Sequence, residues 1–306
     1  MSAWDSDKLA TMTGLDPNPK SVADETIGRL AVWEQLRLGP DIGIVPGRLR
    51  ELGIYGGAQG IWVDKSRTGA LTPDGRGIAV AILHNGVSYD DDLTSDGLLY
   101  HYPSTDRPAS RDSGEIQAMK WAMDLAVPIF VIIKKGDLRR IELGWVDDFD
   151  DPAKIFAVSF GETPQGLVRL EEENDPFELT KTPRRRRAST WARIGQRDFA
   201  FNVMRRYGPA CAGCGIEVSQ VLDAAHLRPK SRNGSDDSRN GLPLCALHHR
   251  ALDSRLWVIE PRTTDFVAVR RDVSLSDLRL TFPSLNHLPE LPHREALMDV
   301  WHYAGV

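Results

Sequence analysis

The chain has 306 residues, 41% of them apolar and 26% charged, with a formal net charge of −5; this ordinary globular composition exceeds the usual size of one domain, so two domains with separate cores are expected. The opening MSAWDSDKLATMTGL has no basic start leading into an apolar core, and the longest apolar run, around residues 125 to 133, is broken by Pro128 and too short for a bilayer. These features argue for a cytoplasmic protein, and three cysteines, an odd number, argue against a secreted disulfide framework.

Charge divides along the chain. Residues 1–180 carry 18 basic and 30 acidic side chains (−12), whereas residues 181–306 carry 20 and 13 (+7), which makes the second half the better candidate for a polyanion. In the first half, GIYGGAQGIW (53–62) is glycine-rich, as close backbone approach to a ligand or simple tight turns would both require. GIAVAILH (77–84), PIFVIIKK (128–135) and KIFAVSF (154–160) are short apolar runs bounded by Gly, Pro and Asp, as buried strands are. SGEIQAMKWAMDLA (113–126) has helical spacing of Ile116, Met119, Trp121 and Met123. The first domain is therefore mixed and mostly β.

NGVSYDDDLTSDGLLYHYP (85–103) reads as strand, turn and strand carrying Tyr89, Tyr102 and the acidic run Asp90–Asp92. Two aromatic faces and one carboxylate are what a pocket for a flipped pyrimidine requires: rings above and below the base, and an acceptor for the cytosine 4-amino group. From composition alone, a solvated acidic hairpin with two packing tyrosines is the simpler reading.

EEEND (171–175), PFELTKTP and RRRRAST (184–190) lack apolar periodicity, so the division is a first domain over 1–170, a linker over 171–190 and a second domain over 191–306. RRRR (184–187) is either a phosphate-contact segment or a solvated part of that linker. WARIGQRDFAFNVMRRYGPA (191–210) predicts a helix with Ile194, Phe199, Val203 and Met204 inward, stopped by Gly208 and Pro209, and REALMDVWHYA (294–304) predicts a closing amphipathic helix.

Between those helices the spacing is Cys211-x2-Cys214, thirty residues, then Cys245-x2-His248. Two tight turns each supplying a ligand pair suit a closed tetrahedral zinc site. The chain has eight histidines and sets two of them, His248 and His249, side by side. Neighbouring side chains point in different directions, so the pair serves two centres. On a helix, His249 and Asp253 share a face, as two ligands of a second cation must. Asp223, His226 and Asn240 stand between the two knuckles.

The string CAGC…LDAAHLRP…SRNGLPLCALHHRALD resembles the HNH (ββα-metal) endonucleases of the zinc-tied subgroup, over about 211–256. The resemblance implies His226 as the general base, Asn240 as the brace that orients it, His249 and Asp253 as holders of Mg²⁺ or Mn²⁺, and Cys211, Cys214, Cys245 and His248 as structural zinc ligands. Many relatives carry a metal ligand just before the catalytic histidine, where this chain has Ala225; Asp223, two residues earlier, is an alternative. A zinc-stabilised module without catalysis is the competing reading of the same cluster.

The order Tyr-acid-Asp-Asp, turn, Gly, two apolar residues and an aromatic segment ending in Tyr is similar to the SRA fold, a reader of 5-methylcytosine, over about 40–165. It implies Tyr89 and Tyr102 as stacking residues and Asp92 as the cytosine-binding aspartate. Arg67, Arg76, Arg107 and Arg111 flank the motifs and are either phosphate contacts or ordinary surface arginines, the second being the simpler reading of each. Together the two halves resemble the bacterial modification-dependent (type IV) restriction endonucleases. The expectation is an α+β chain with an SRA-like, mostly-β first domain and a ββα-metal second domain with structural zinc. Its implied activity is to bind double-stranded DNA, flip 5-methyl- or 5-hydroxymethylcytosine and cut as a homodimer. A nuclease whose first domain reads another feature stays open.

Overall fold

A computed structural model of the chain describes residues 14–37, 43–56, 60–84, 93–94, 96–103, 109–164, 176–180 and 191–305. Tyr89, the acidic run 90–92, Arg107, the arginines 184–187 and part of GIYGGAQG lie outside the described residues. Up to residue 160 the helices are α1 (Val22–Arg37), α2 (Pro46–Glu51), α3 (Lys65–Thr68) and α4 (Ala109–Asp124). The strands there are β1 (Ile61–Val63), β2 (Ala79–His84), β3 (Gly97–His101), β4 (Ile129–Lys135), β5 (Leu138–Asp150) and β6 (Ile155–Phe160). Beyond it come α5 (Trp191–Tyr207), β7 (Leu222–His226), β8 (Gly241–Cys245), α6 (Ala246–Asp253), β9 (Trp257–Ile259), β10 (Phe266–Ala268) and α7 (Arg294–Ala304). The class is α+β, as expected.

The chain forms two compact units: residues 1–88, 102–149 and 156–167 make the first, and 89–101, 150–155 and 168–306 the second. In the first unit, strands run in the order β1-β2-β4-β5-β6, with β2 and β4 parallel and β4 and β5 antiparallel. Five consecutive residues of β4, Ile129–Ile133, are buried, as a strand covered on both faces must be. Its hairpin to β5 turns at Gly136, whose φ of +59° lies in the left-handed region that glycine enters without steric cost.

Helix α1 and strand β5 carry no clear signal in the sequence. The inward face of α1 includes Glu25 and Arg29, both buried, so its apolar periodicity is interrupted where it should be strongest. Arg29 Nε lies 2.6 Å from Glu25 Oε1, and its NH1 donates to the carbonyls of Ala79 (2.6 Å) and Pro128 (2.7 Å), tying α1 to the starts of β2 and β4. Burial pushes the Arg29 guanidinium down to about 10, which still leaves it charged at neutral pH. Arg67 closes the same network on Glu25. It is buried there, so the reading of Arg67 as a surface arginine, ordinary or phosphate-binding, is corrected: its cation is committed inside the first unit.

In the second unit, Phe199, Val203 and Met204 of α5 are buried, as predicted, while the side chain of Ile194 lies outside what is described, and β3 packs against that helix. β7 and β8 form an antiparallel pair from Leu222↔Cys245 to His226↔Gly241, and α6 follows β8 without an intervening loop. Within the stretch read from sequence as the linker, Phe177 stacks on His293 at 3.8 Å and Leu179 O accepts from the amide of Ser235 at 3.1 Å.

Candidate functional site

Sulfur and nitrogen come together first. The ligand atoms of Cys211, Cys214, Cys245 and His248 all lie within 4.8 Å of one another, with Cys211 Sγ and Cys245 Sγ at 3.2 and 3.3 Å from His248 Nδ1. A tight turn builds the first knuckle: Gly215 N donates to Cys211 O at 2.7 Å, and Ala212 N donates to Pro243 O at 2.8 Å, which joins the knuckle to β8. His248 Nε2 is 3.0 Å from the carbonyl of Leu278, which can only accept, so Nε2 carries the hydrogen and Nδ1 turns its lone pair to the sulfurs. Burial pushes the Cys211 thiol up to about 12 and raises Cys214 as well, while it lowers His248 below its ordinary value. Three crowded thiols disfavour ionisation unless a cation sits among them, so the donor set fits zinc.

His249, one residue on, faces elsewhere. Its Nδ1 lies 2.9 Å from Asp223 Oδ2, and its Nε2 lies 3.6 Å from Asp253 Oδ2. A carboxylate can only accept, so Nδ1–H donates to Asp223, and in the neutral ring this leaves Nε2 as the nitrogen whose lone pair a cation beside Asp253 would meet. The 3.6 Å separation is one that a single cation bonded at about 2.1 Å to each atom can span. Asp223 is 6% exposed, and its second oxygen Oδ1 is buried with no hydrogen-bond partner among the described residues. Ala225, on the same strand face, is wholly buried and offers no ligand.

His226 ends β7. Its ring stacks on Phe199 of α5 at 3.7 Å, and its Nε2 lies 3.4 Å from Asp236 Oδ1, which also pairs with Lys230. Asn240 has no exposed surface and holds the loop that follows His226 from three directions. Its Oδ1 accepts from Arg228 N (2.9 Å), and its Nδ2 donates to Arg228 O (3.1 Å) and Ser235 O (3.0 Å). Its own carbonyl accepts from Leu227 N at 2.8 Å. The same loop folds so tightly that a Cβ on Gly234 would sit 1.8 Å from Arg228 O.

A cleft of about 270 Å³ opens at this end of the hairpin, with His226, Pro229, Leu252, Asp253, Arg255 and Tyr303 among its walls. It joins the residue read as a base to one read as a metal holder. Sequence reasoning missed Asp236, Phe199, Arg255 and Tyr303. Asp236 was one of two adjacent acids in a polar loop with nothing to separate them; Asp237 caps the following turn through Arg239 N (2.9 Å) instead. Of the expected base-pocket residues, only Tyr102 is described; its ring packs on buried Phe156, centroids 4.6 Å apart.

Residues 211–260 match the family model described as HNH endonuclease. Among solved structures, the chain is similar to a modification-dependent restriction endonuclease, TagI, at 16% identity and a TM-score of 0.33, covering 87% of this chain and 93% of that one. It is also similar to the type IV phosphorothioation-dependent restriction endonuclease ScoMcrA, at 10% identity and a TM-score of 0.27, covering 93% of this chain and 73% of that one. No curated protein matches. No helix among the described residues is long and apolar enough to cross a membrane.

Proposed function

We propose that the chain is a modification-dependent DNA endonuclease, with a modified-cytosine-binding domain over 1–170, a linker over 171–190 and an HNH nuclease domain over 191–306. The observation that carries the nuclease reading is the cleft on which His226 and Asp253 both open, beside a loop braced by Asn240. Asp236 accepts from His226 Nε2–H, which leaves Nδ1 as the basic atom. That nitrogen takes a proton from water, the hydroxyl oxygen bonds to phosphorus, and the bond from phosphorus to the departing 3′ oxygen breaks. His249 and Asp253 would hold Mg²⁺ or Mn²⁺, with Asp223 fixing the His249 ring; when bound, the cation would supply a Lewis acid for the phosphate and the departing oxygen. Zinc on Cys211, Cys214, Cys245 and His248 is structural and takes no part in the chemistry.

Target choice falls to Tyr89, Asp92 and Tyr102, supported by their order in the sequence and its resemblance to the SRA fold. They take up a flipped 5-methyl- or 5-hydroxymethylcytosine from double-stranded DNA, offsetting a few kcal/mol of lost stacking and pairing. One HNH site cuts one strand, so a homodimer cuts both.

The test is digestion of one plasmid prepared unmodified, 5-methylated and 5-hydroxymethylated, with Mg²⁺ or Mn²⁺, beside His226→Ala. Cutting of modified DNA alone, abolished in His226→Ala while binding persists, is the expected result. Equal cutting of all three plasmids removes the reader and keeps the nuclease. A variant that cuts at the parental rate removes His226 as the base.

A further inference from the structure

We infer that Arg255 binds a backbone phosphate of the DNA at the mouth of the His226–Asp253 cleft; the inference rests on the nuclease reading of that cleft. The first observation is conformational. Arg255 follows Ser254, the residue that ends α6, and has φ +55°, in the left-handed region that glycine occupies freely and an arginine occupies against a steric cost. Its amide donates to Leu252 O at 2.9 Å, an ordinary helix-ending bond that glycine would make equally well. Nothing in the backbone therefore asks for a long cationic side chain at this position.

The second observation is where that side chain goes. Arg255 lines the cleft with His226 and Asp253, only two residues from the latter. Its NH2 donates to the Tyr303 hydroxyl at 3.1 Å, and its guanidinium lies over the Tyr303 ring at 4.1 Å. Arg232 lies over the same ring at 3.9 Å. The two cations differ in one respect that decides their roles. Arg232 is paired with Asp299, at 2.9 and 3.1 Å, a carboxylate that it shares with Arg228, whereas Arg255 makes no ion pair among the described residues.

An exposed cation–π contact is a weak return for a left-handed backbone and an uncompensated charge. A phosphodiester supplies what is missing. The guanidinium is planar and carries several donors, and one NH2 already spent on Tyr303 leaves the rest of the fork for phosphate oxygens. Tyr303 thus acts as the rest on which the arginine waits, and its place on α7 couples that helix to the cleft. The partner is nucleic-acid backbone, recognised without regard to base sequence.

The experiment uses the full chain and measures equilibrium binding, across a salt series, to the duplex that the parent binds most tightly, with Ca²⁺ replacing Mg²⁺. Each neutralised phosphate contributes about 0.9 to the slope of log K against log salt. Arg255→Gly should lower that slope by about 0.9 and weaken binding roughly tenfold near physiological salt. Arg255→Lys should keep the slope. Because glycine suits the backbone, Arg255→Gly should melt no lower than the parent and retain its zinc.

A slope unchanged in Arg255→Gly, with the parent still cutting DNA, overturns this inference alone. A lowered melting temperature with an unchanged slope also overturns it, since Arg255 would then be a packing residue on Tyr303. A parent that neither binds nor cuts any DNA overturns the nuclease reading and this inference with it.

Discussion

Asn240 concentrates the dependence of this site on single hydrogen bonds. Its amide group is itself fully buried and satisfies one backbone N–H and two carbonyls of the loop that follows His226. Asn240→Ala leaves those groups without their partner, at roughly 1–3 kcal/mol for each group that stays orphaned, so a loss of about 3 kcal/mol in chemical denaturation is expected. Asn240→Asp keeps the acceptor for Arg228 N and sets a carboxylate against two carbonyls, so it should cut no better than the alanine variant despite its matching shape. At this scale the sequence was informative where chemistry demanded unusual neighbours. Adjacent histidines predict two centres because of side-chain direction alone, and His248 does face three sulfurs while His249 faces Asp223. The sequence was silent where a common residue draws its role from a distant partner. Arg255 and Tyr303 are 48 positions apart, and neither has a spacing that names the other.

Strands β2, β4 and β6 could be read because burial on both faces makes them continuous apolar runs, and helices α4, α5 and α7 because burial of one face imposes a period on their side chains. The exceptions have physical causes: α1 buries an ion-paired arginine on its inner face, and β5 carries Asp147 into the interior, where Ser159 Oγ donates to it at 3.0 Å. Buried polar groups with partners fit the fold and break the pattern. Glu260, in the turn between β9 and β10, is a smaller case that pH can read. The amides of Thr263 (2.5 Å) and Arg262 (2.9 Å) donate to its carboxylate, as does Arg262 Nε at 3.2 Å, and they hold it down to about 2 from the ordinary 4.5. A depressed carboxylate stabilises the folded turn above its ordinary value, and that contribution is lost as pH falls through about 2. An NMR titration should place the Glu260 midpoint near 2, and Glu260→Gln should flatten the exchange protection of the 260–266 amides between pH 4.5 and 2.

For the whole molecule the zinc proposed for the cysteine cluster has the largest expected effect. Structural zinc contributes on the order of 10 kcal/mol in small domains, comparable with the entire net stability of a folded unit. Its removal should therefore unfold the second unit rather than loosen it. Elemental analysis should find one zinc per chain, absent from Cys245→Ser. In hydrogen exchange after chelation, β7 and β8 should lose protection while β4, in the other unit, keeps it. The division of charge, −12 over residues 1–180 and +7 beyond, was visible from the first count, but whether cations are free was not: Arg67 is spent on Glu25, and Arg228 and Arg232 on Asp299. The folded loop between His226 and Asn240 also leaves a mark for comparing lineages. A side chain at position 234 would collide with Arg228 O, so the loop is held in shape by a residue that contributes no chemistry. Any descendant that keeps His226 and Asn240 yet has replaced this glycine has become a molecular fossil: its signature would still be legible to a motif search, and its cleft would no longer assemble.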